Sequence, residues 1–121
     1  MVKFTIYTTP RTKKNSQQII MINGSPRIIP SKAYKQYEKD CKHFMPKIQT
    51  INEAVNVQAI YYMPKRRKVD LCNLHEALCD ILVRYGVIAD DNYTIVATMD
   101  GSRVEYDKNN PRTEVTITKK G

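Results

Sequence analysis

Residues 70–86 constrain the fold of this chain more than any other stretch. Leu71, Leu74, Leu78, Ile81, Leu82 and Tyr85 recur at three- and four-residue intervals, the period of one face of an α-helix. Asp70 stands before the run as an N-cap residue, and Gly86 stands after it, where chains commonly leave a helix in a left-handed conformation. A helix with one continuous apolar stripe must bury that stripe, so the rest of the chain must supply a surface to receive it.

The surface is read as a sheet. Val2, Phe4 and Ile6 alternate with polar residues, and so do the apolar residues of 54–62; further strand patterns lie near 93–99, 102–106 and 113–118, with a turn at Asp100-Gly101. The apolar runs Ile19–Ile22 and Ile28–Ile29 flank Asn23-Gly24, a dipeptide suited to a type I′ hairpin turn. Ser31 is placed to cap another helix over 32–45, in which Tyr34, Tyr37, Cys41 and Phe44 share a face and after which Pro46 stops the helix. This order predicts an α+β (mixed α/β) fold, a mixed sheet with two main helices, in one small domain over residues 1–121.

Charge is distributed unevenly. Residues 1–50 hold ten Lys and Arg against two Asp and Glu, whereas residues 51–121 hold ten of each, so the net charge of +8 belongs to the first part of the chain. Five of the ten acids in the second part fall between Asp70 and Asp91. No apolar run approaches membrane-spanning length and no signal sequence is evident, so a soluble cytoplasmic protein with no membrane partner is expected. Three cysteines argue against a disulfide framework. Cys41, His43, Cys72, His75 and Cys79 lack the spacing of a zinc site, and buried thiols at a helix or subunit contact explain them more simply.

The chemistry is concentrated around the second helix. The basic run Lys65, Arg66, Arg67 and Lys68 leads to Asp70, and the segment closes with Asp90 and Asp91. Cations bind phosphate and clustered carboxylates bind a divalent metal, the two requirements of a metal-dependent nuclease. On the polar stripe, Glu76 and Asp80 stand four residues apart, a like-charge pair costing about 0.2–0.5 kcal/mol, which Arg84 is placed to offset. Each group also has a plainer reading: Asp70 as a helix cap, Asp90-Asp91-Asn92 as a turn, and the polar stripe as a solvated face.

The basic run, then Asp70-Leu71-Cys72-Asn73-Leu74, Ala77, Asp80, Gly86 and the pair Asp90-Asp91, resembles the RusA family of Holliday junction resolvases. Thr9-Pro10 through Asn15 resembles that family's N-terminal loop, and Ser31-Lys32-Ala33-Tyr34 its entry to the first helix. The resemblance implies a small homodimeric endonuclease of bacteria or their phages, dependent on Mg²⁺ with Mn²⁺ as a substitute. It would act on four-way junctions and other branched DNA in recombination and repair. Asp70 and Asp91 match catalytic acids and Asp90 the adjacent acidic position. The N-terminal Arg11, Lys13, Lys14 and Asn15, with Lys65, Arg66, Arg67 and Lys68, are the expected DNA contacts. Two positions depart from the pattern: Cys72 replaces a second metal-binding Asp, and Glu76 replaces a Lys. Thiolate is a poor ligand for magnesium, so Glu76 is expected to supply the missing carboxylate and the basic loop the missing cation. If these changes abolish the chemistry, the alternative is a branched-DNA-binding protein with weak or lost cleavage.

Overall fold

The computed structural model describes residues 1–13, 17–30 and 32–120. The elements run β1 (Val2–Ile6), β2 (Gln17–Ile22), β3 (Ser25–Pro30), α1 (Lys32–Cys41), β4 (Val55–Met63), α2 (Leu71–Arg84), β5 (Val96–Thr98), β6 (Arg103–Tyr106) and β7 (Arg112–Lys119). The expected α+β architecture with a mixed sheet and two helices is what forms.

β4 is central. One edge pairs antiparallel with β7, which pairs antiparallel with β1. The other edge is shared by β5, at Val55 and Asn56, and by β6, at Ile60–Met63, both parallel to β4. Between these pairings, side chains take over the ladder. Asn56 Oδ1 accepts from Thr98 Oγ1 (2.6 Å) and Asp100 N (2.7 Å), and Ala59 N donates to Ser102 Oγ (3.1 Å). They hold the 98–102 turn against β4, and with it β6.

Period-two alternation decides which face of the sheet is covered. Val55, Val57, Ala59 and Tyr61 of β4 are buried with Val115 and Ile117 of β7. They form one core with Tyr34, Tyr37 and Cys41 of α1 and Leu74, Ala77, Leu78, Ile81 and Leu82 of α2. Tyr85 Oη donates to the Glu38 carbonyl (2.9 Å), tying the two helices together. α2 ends as its sequence predicts. Gly86 has φ +73°, its N–H donates to Val83 O (3.1 Å), and Val87 N–H donates to Leu82 O (2.9 Å), a Schellman closure. Asn23 (φ 52°) and Gly24 (φ 77°) form the expected two-residue turn of the β2–β3 hairpin.

Two boundaries differ from expectation. α1 stops at Cys41 and continues as a 3₁₀ turn, Lys42–Phe44, because Met45 before Pro46 takes an extended conformation (φ −70°, ψ 139°). The strand expected from Tyr93 begins only at Val96: Asn92 Oδ1 accepts from Thr94 N (2.9 Å) and Asn92 O from Ile95 N (3.0 Å), forming a turn. Ser31, the expected cap of α1, lies outside the described residues. Among those residues no helix is long and apolar enough to cross a membrane.

His75 and Cys79 join the buried side of α2, whereas Cys72 is exposed. Of the cysteines that sequence set at a helix or subunit contact, Cys41 and Cys79 are therefore buried in the fold, and only Cys72 faces outward. His75 Nδ1 lies 2.9 Å from Tyr61 Oη, while Nε2 has no hydrogen-bond partner among the described residues. Burial lowers the His75 pKa below its ordinary 6.5, favouring the neutral ring. Because the folded value is the lower one, the stability associated with neutral His75 is complete above pH 6.5 and is lost as pH falls through that value towards the folded one. Thermal melting should show a smaller drop between pH 7.5 and 5.5 in His75→Gln than in the parent. An equal drop in both would place the acid sensitivity elsewhere.

Candidate functional site

β4 ends at Met63 and α2 begins at Leu71, so the basic run spans a short gap between two fixed points. It forms a ridge with a concavity on each side. One, about 360 Å³, lies against the N-terminal loop and is lined by Thr9, Arg11, Lys65, Arg67, Lys68 and Leu74 among others. The second, about 570 Å³, lies against β6 and is lined by Lys65 to Lys68 together with Val104, Glu105 and Tyr106. Arg11 and the basic run thus reach a common cleft from distant parts of the sequence. Lys14 and Asn15 lie outside the described residues.

Asp70 takes the N-cap conformation (φ −83°, ψ 122°), and its carbonyl accepts from Asn73 N and Leu74 N, both at 3.1 Å. Its carboxylate does not cap the helix, contrary to the plainer reading of the sequence. Instead it is exposed and accepts a 3.2 Å hydrogen bond from Asn73 Nδ2. The backbone therefore fixes this residue while leaving the carboxylate accessible, beside Lys68 and Val69 of the first cleft.

Asp90 and Asp91 stand in a turn clamped on both sides. Before it, Ile51 N donates to Val87 O (3.0 Å), Ala89 N to Ile51 O (2.9 Å), and Ile88 is buried. After it, buried Ile95 is held by Asn92, and its carbonyl receives Val55 N (2.8 Å). Asp91 N donates to Asp90 Oδ1 (2.7 Å), and this bond leads the effects that lower the Asp90 pKa. Asp91 moves the other way. Loss of solvent, hydrogen bonding to the carboxyls of Asp90 and Asp80, and repulsion from Asp80 all raise its pKa. Burial pushes the neighbouring Cys79 thiol up to about 12, with Asp91 and Asp80 adding to the effect, which favours its protonated form.

Asp80 has a different cation from the one its spacing suggests. Arg84 pairs with Glu38 (3.0 Å), and Lys13 reaches across 67 positions to Asp80 (2.5 Å). Lys13 also lies 5.9 Å from the centre of the Tyr34 ring. An expected DNA contact is thus also the charge partner of α2, in a part-buried pair that fastens the N-terminal loop to the helix.

The structure brings Asp91 together with Asp90 and Asp80. Asp70 lies ten residues before Asp80 on the same helix, about 15 Å along the axis. Glu76 is exposed and lies between them in sequence. Among the described residues, no group of three or more His, Cys, Asp or Glu side chains is placed to hold a metal ion. The donor chemistry nevertheless suits a hard divalent cation: the acids offer only oxygen, and the repulsion felt by Asp91 is of the kind a shared cation relieves. Sequence reasoning gave Asp80 no role in the site, although its unfavourable spacing with Glu76 and its place in the family-like pattern both marked it. It read a strand over 102–106 but gave Tyr106 no role, because only the pairing of β6 with β4 sets that residue beside the basic run.

A comparison with curated proteins returned no match. The family model for endodeoxyribonuclease RusA matches residues 4–118. With a match running from β1 to β7, the chain belongs to the RusA family of endodeoxyribonucleases, metal-dependent enzymes that resolve Holliday junctions.

Proposed function

We propose that the protein is a magnesium-dependent endonuclease that nicks four-way DNA junctions in pairs, as a homodimer, in recombination and repair. Asp70, Glu76, Asp90 and Asp91 are its proposed metal-binding and catalytic carboxylates. The supporting observation is the setting of Asp91 in the clamped turn beside Asp90 and Asp80, where loss of solvent first and these two carboxyls second raise its pKa. Like charges kept together in a clamped turn fit a site that shares positive charge. A bound magnesium or manganese ion would polarise the scissile phosphate and acidify an attacking water.

The chain's own residues do the rest. Arg11, Lys65, Arg67 and Lys68 line the cleft that ends at Val69, next to Asp70 in sequence, and suit the phosphates of a DNA strand. Lys13, by holding Asp80, positions the N-terminal loop beside α2. The second reading, a branched-DNA-binding protein with weak or lost cleavage, is favoured by Cys72 and Glu76, which stand where the family pattern has a metal-binding Asp and a Lys. Cleavage of a synthetic four-way junction with Mg²⁺ or Mn²⁺ decides between them: cutting supports the nuclease, and tight binding without cutting supports the alternative.

Given cleavage, Asp70→Asn or Asp91→Asn should abolish it in a gel assay while junction binding persists. Either variant cutting within a few fold of the parent would remove that residue from the site. Glu76→Gln tests whether the family's missing carboxylate is restored from this position. Its rate should fall about a hundredfold or more, whereas a near-normal Glu76→Gln with a defective Asp80→Asn would assign the third acid to Asp80. Binding should weaken steeply with salt, and Arg66→Ala with Arg67→Ala should flatten the log–log slope by about 1.8 if each residue meets one phosphate. An unchanged slope would locate the phosphate contacts elsewhere.

A further inference from the structure

We propose that the groove between the basic loop and β6 receives an unstacked nucleobase, with Tyr106 as the surface on which it stacks; this rests on the branched-DNA reading above. The groove has two unlike walls. Lys65 to Lys68 form one, and Val104, Glu105 and Tyr106 of β6 form the other, with Val104 and Tyr106 on the same face of the strand and Glu105 paired to Arg103 (3.6 Å). Cations suffice for phosphate. An aromatic ring beside an aliphatic side chain suits the flat, largely apolar face of a base. At about 570 Å³, the groove is large enough for one nucleoside.

The backbone fixes Tyr106 at the foot of the ridge. It pairs with Met63, the last residue of β4 before the basic loop, and Asp107 N donates to Met63 O (2.9 Å) just beyond. Its side chain is 42% exposed, so the core does not claim the ring. The Arg66 guanidinium lies 4.2 Å from the ring centre, showing that a flat group already finds a face there.

A second Arg–Tyr pair in the molecule shows what a committed structural contact looks like. Arg112 lies 3.7 Å from the centre of the Tyr62 ring and is also fixed by Asp107 (2.9 Å) and Glu114 (3.0 Å). Among the described residues Arg66 has no such carboxylate partner. It is free to exchange its place on Tyr106 for a base and turn to a phosphate. A nucleotide could then lay its phosphate on the ridge and its base in the groove. An intact duplex keeps its base faces stacked inside, whereas branch points and single strands offer them.

The test compares Tyr106→Ala and Tyr106→Phe with the parent, in chelator to prevent cleavage. Each is bound to a four-way junction, a single-stranded oligonucleotide and an unbranched duplex over a range of salt. The Ala variant should lose about tenfold or more on the junction and the single strand and nothing on the duplex, the loss expected for one base–aromatic stack. Its salt slope should match the parent's, because stacking releases no counterions. The Phe variant should bind all three as the parent does. Parent-like binding of the Ala variant throughout, equal losses on duplex and junction, or a Phe variant as weak as Ala would each overturn the base site. If the parent binds the junction no better than the duplex, the junction reading fails. A single-strand loss confined to the Ala variant would still support the base site.

Discussion

The burial of α2 against the inward face of β4 is the contact on which the other features depend. Tyr61 meets His75, and Leu74, Leu78, Ile81 and Leu82 share the same core as Val57, Ala59 and Val115. With both elements fixed, the basic loop has little choice of path. The same docking sets Asp70 at one end of α2 and, through the Schellman closure at Gly86, directs the chain back toward the acidic turn. Ridge and acids are therefore placed by packing.

Charge is arranged along this helix in an ordered way. Cations gather near its start, on the ridge and at Arg11, while Asp80, Asp90 and Asp91 gather toward its end. Lys13 bridges the two regions by pairing with Asp80. A polyanion attracted to the ridge approaches acids that would repel it without a cation between them. Under the proposed function, this gives a physical reason for linking DNA binding and metal binding in one small domain, with Glu76 midway along the helix between ridge and acids.

Much of the fold was legible because its signals are local. The apolar stripe of α2, the alternation of β4 and the Asn23-Gly24 turn each rest on a few adjacent residues. What sequence missed depends on distant partners or competing side chains. Tyr93 and Ile95 have strand-like spacing, yet Asn92 gathers the neighbouring amide groups into a turn. Asp80 looked like a partner for Arg84, but Lys13 arrives through the tertiary fold, and Arg84 turns to Glu38. The acids were legible as a set in sequence, but not their grouping, because a straight helix separates Asp70 from Asp80 by about 15 Å. Tyr106 gained meaning only when the parallel pairing of β6 with β4 set it beside the ridge.

The central claim, that this acidic arrangement holds a divalent cation on DNA, is tested most directly by counting bound Mn²⁺ in the protein–junction complex. Loss of the free-ion electron paramagnetic resonance signal supplies the count, with the junction alone as baseline. The account predicts protein-dependent Mn²⁺ binding in stoichiometric amount that is lost in Asp91→Asn while the complex itself stays intact. No Mn²⁺ bound beyond the junction's own share, or binding unchanged by that substitution, would contradict it.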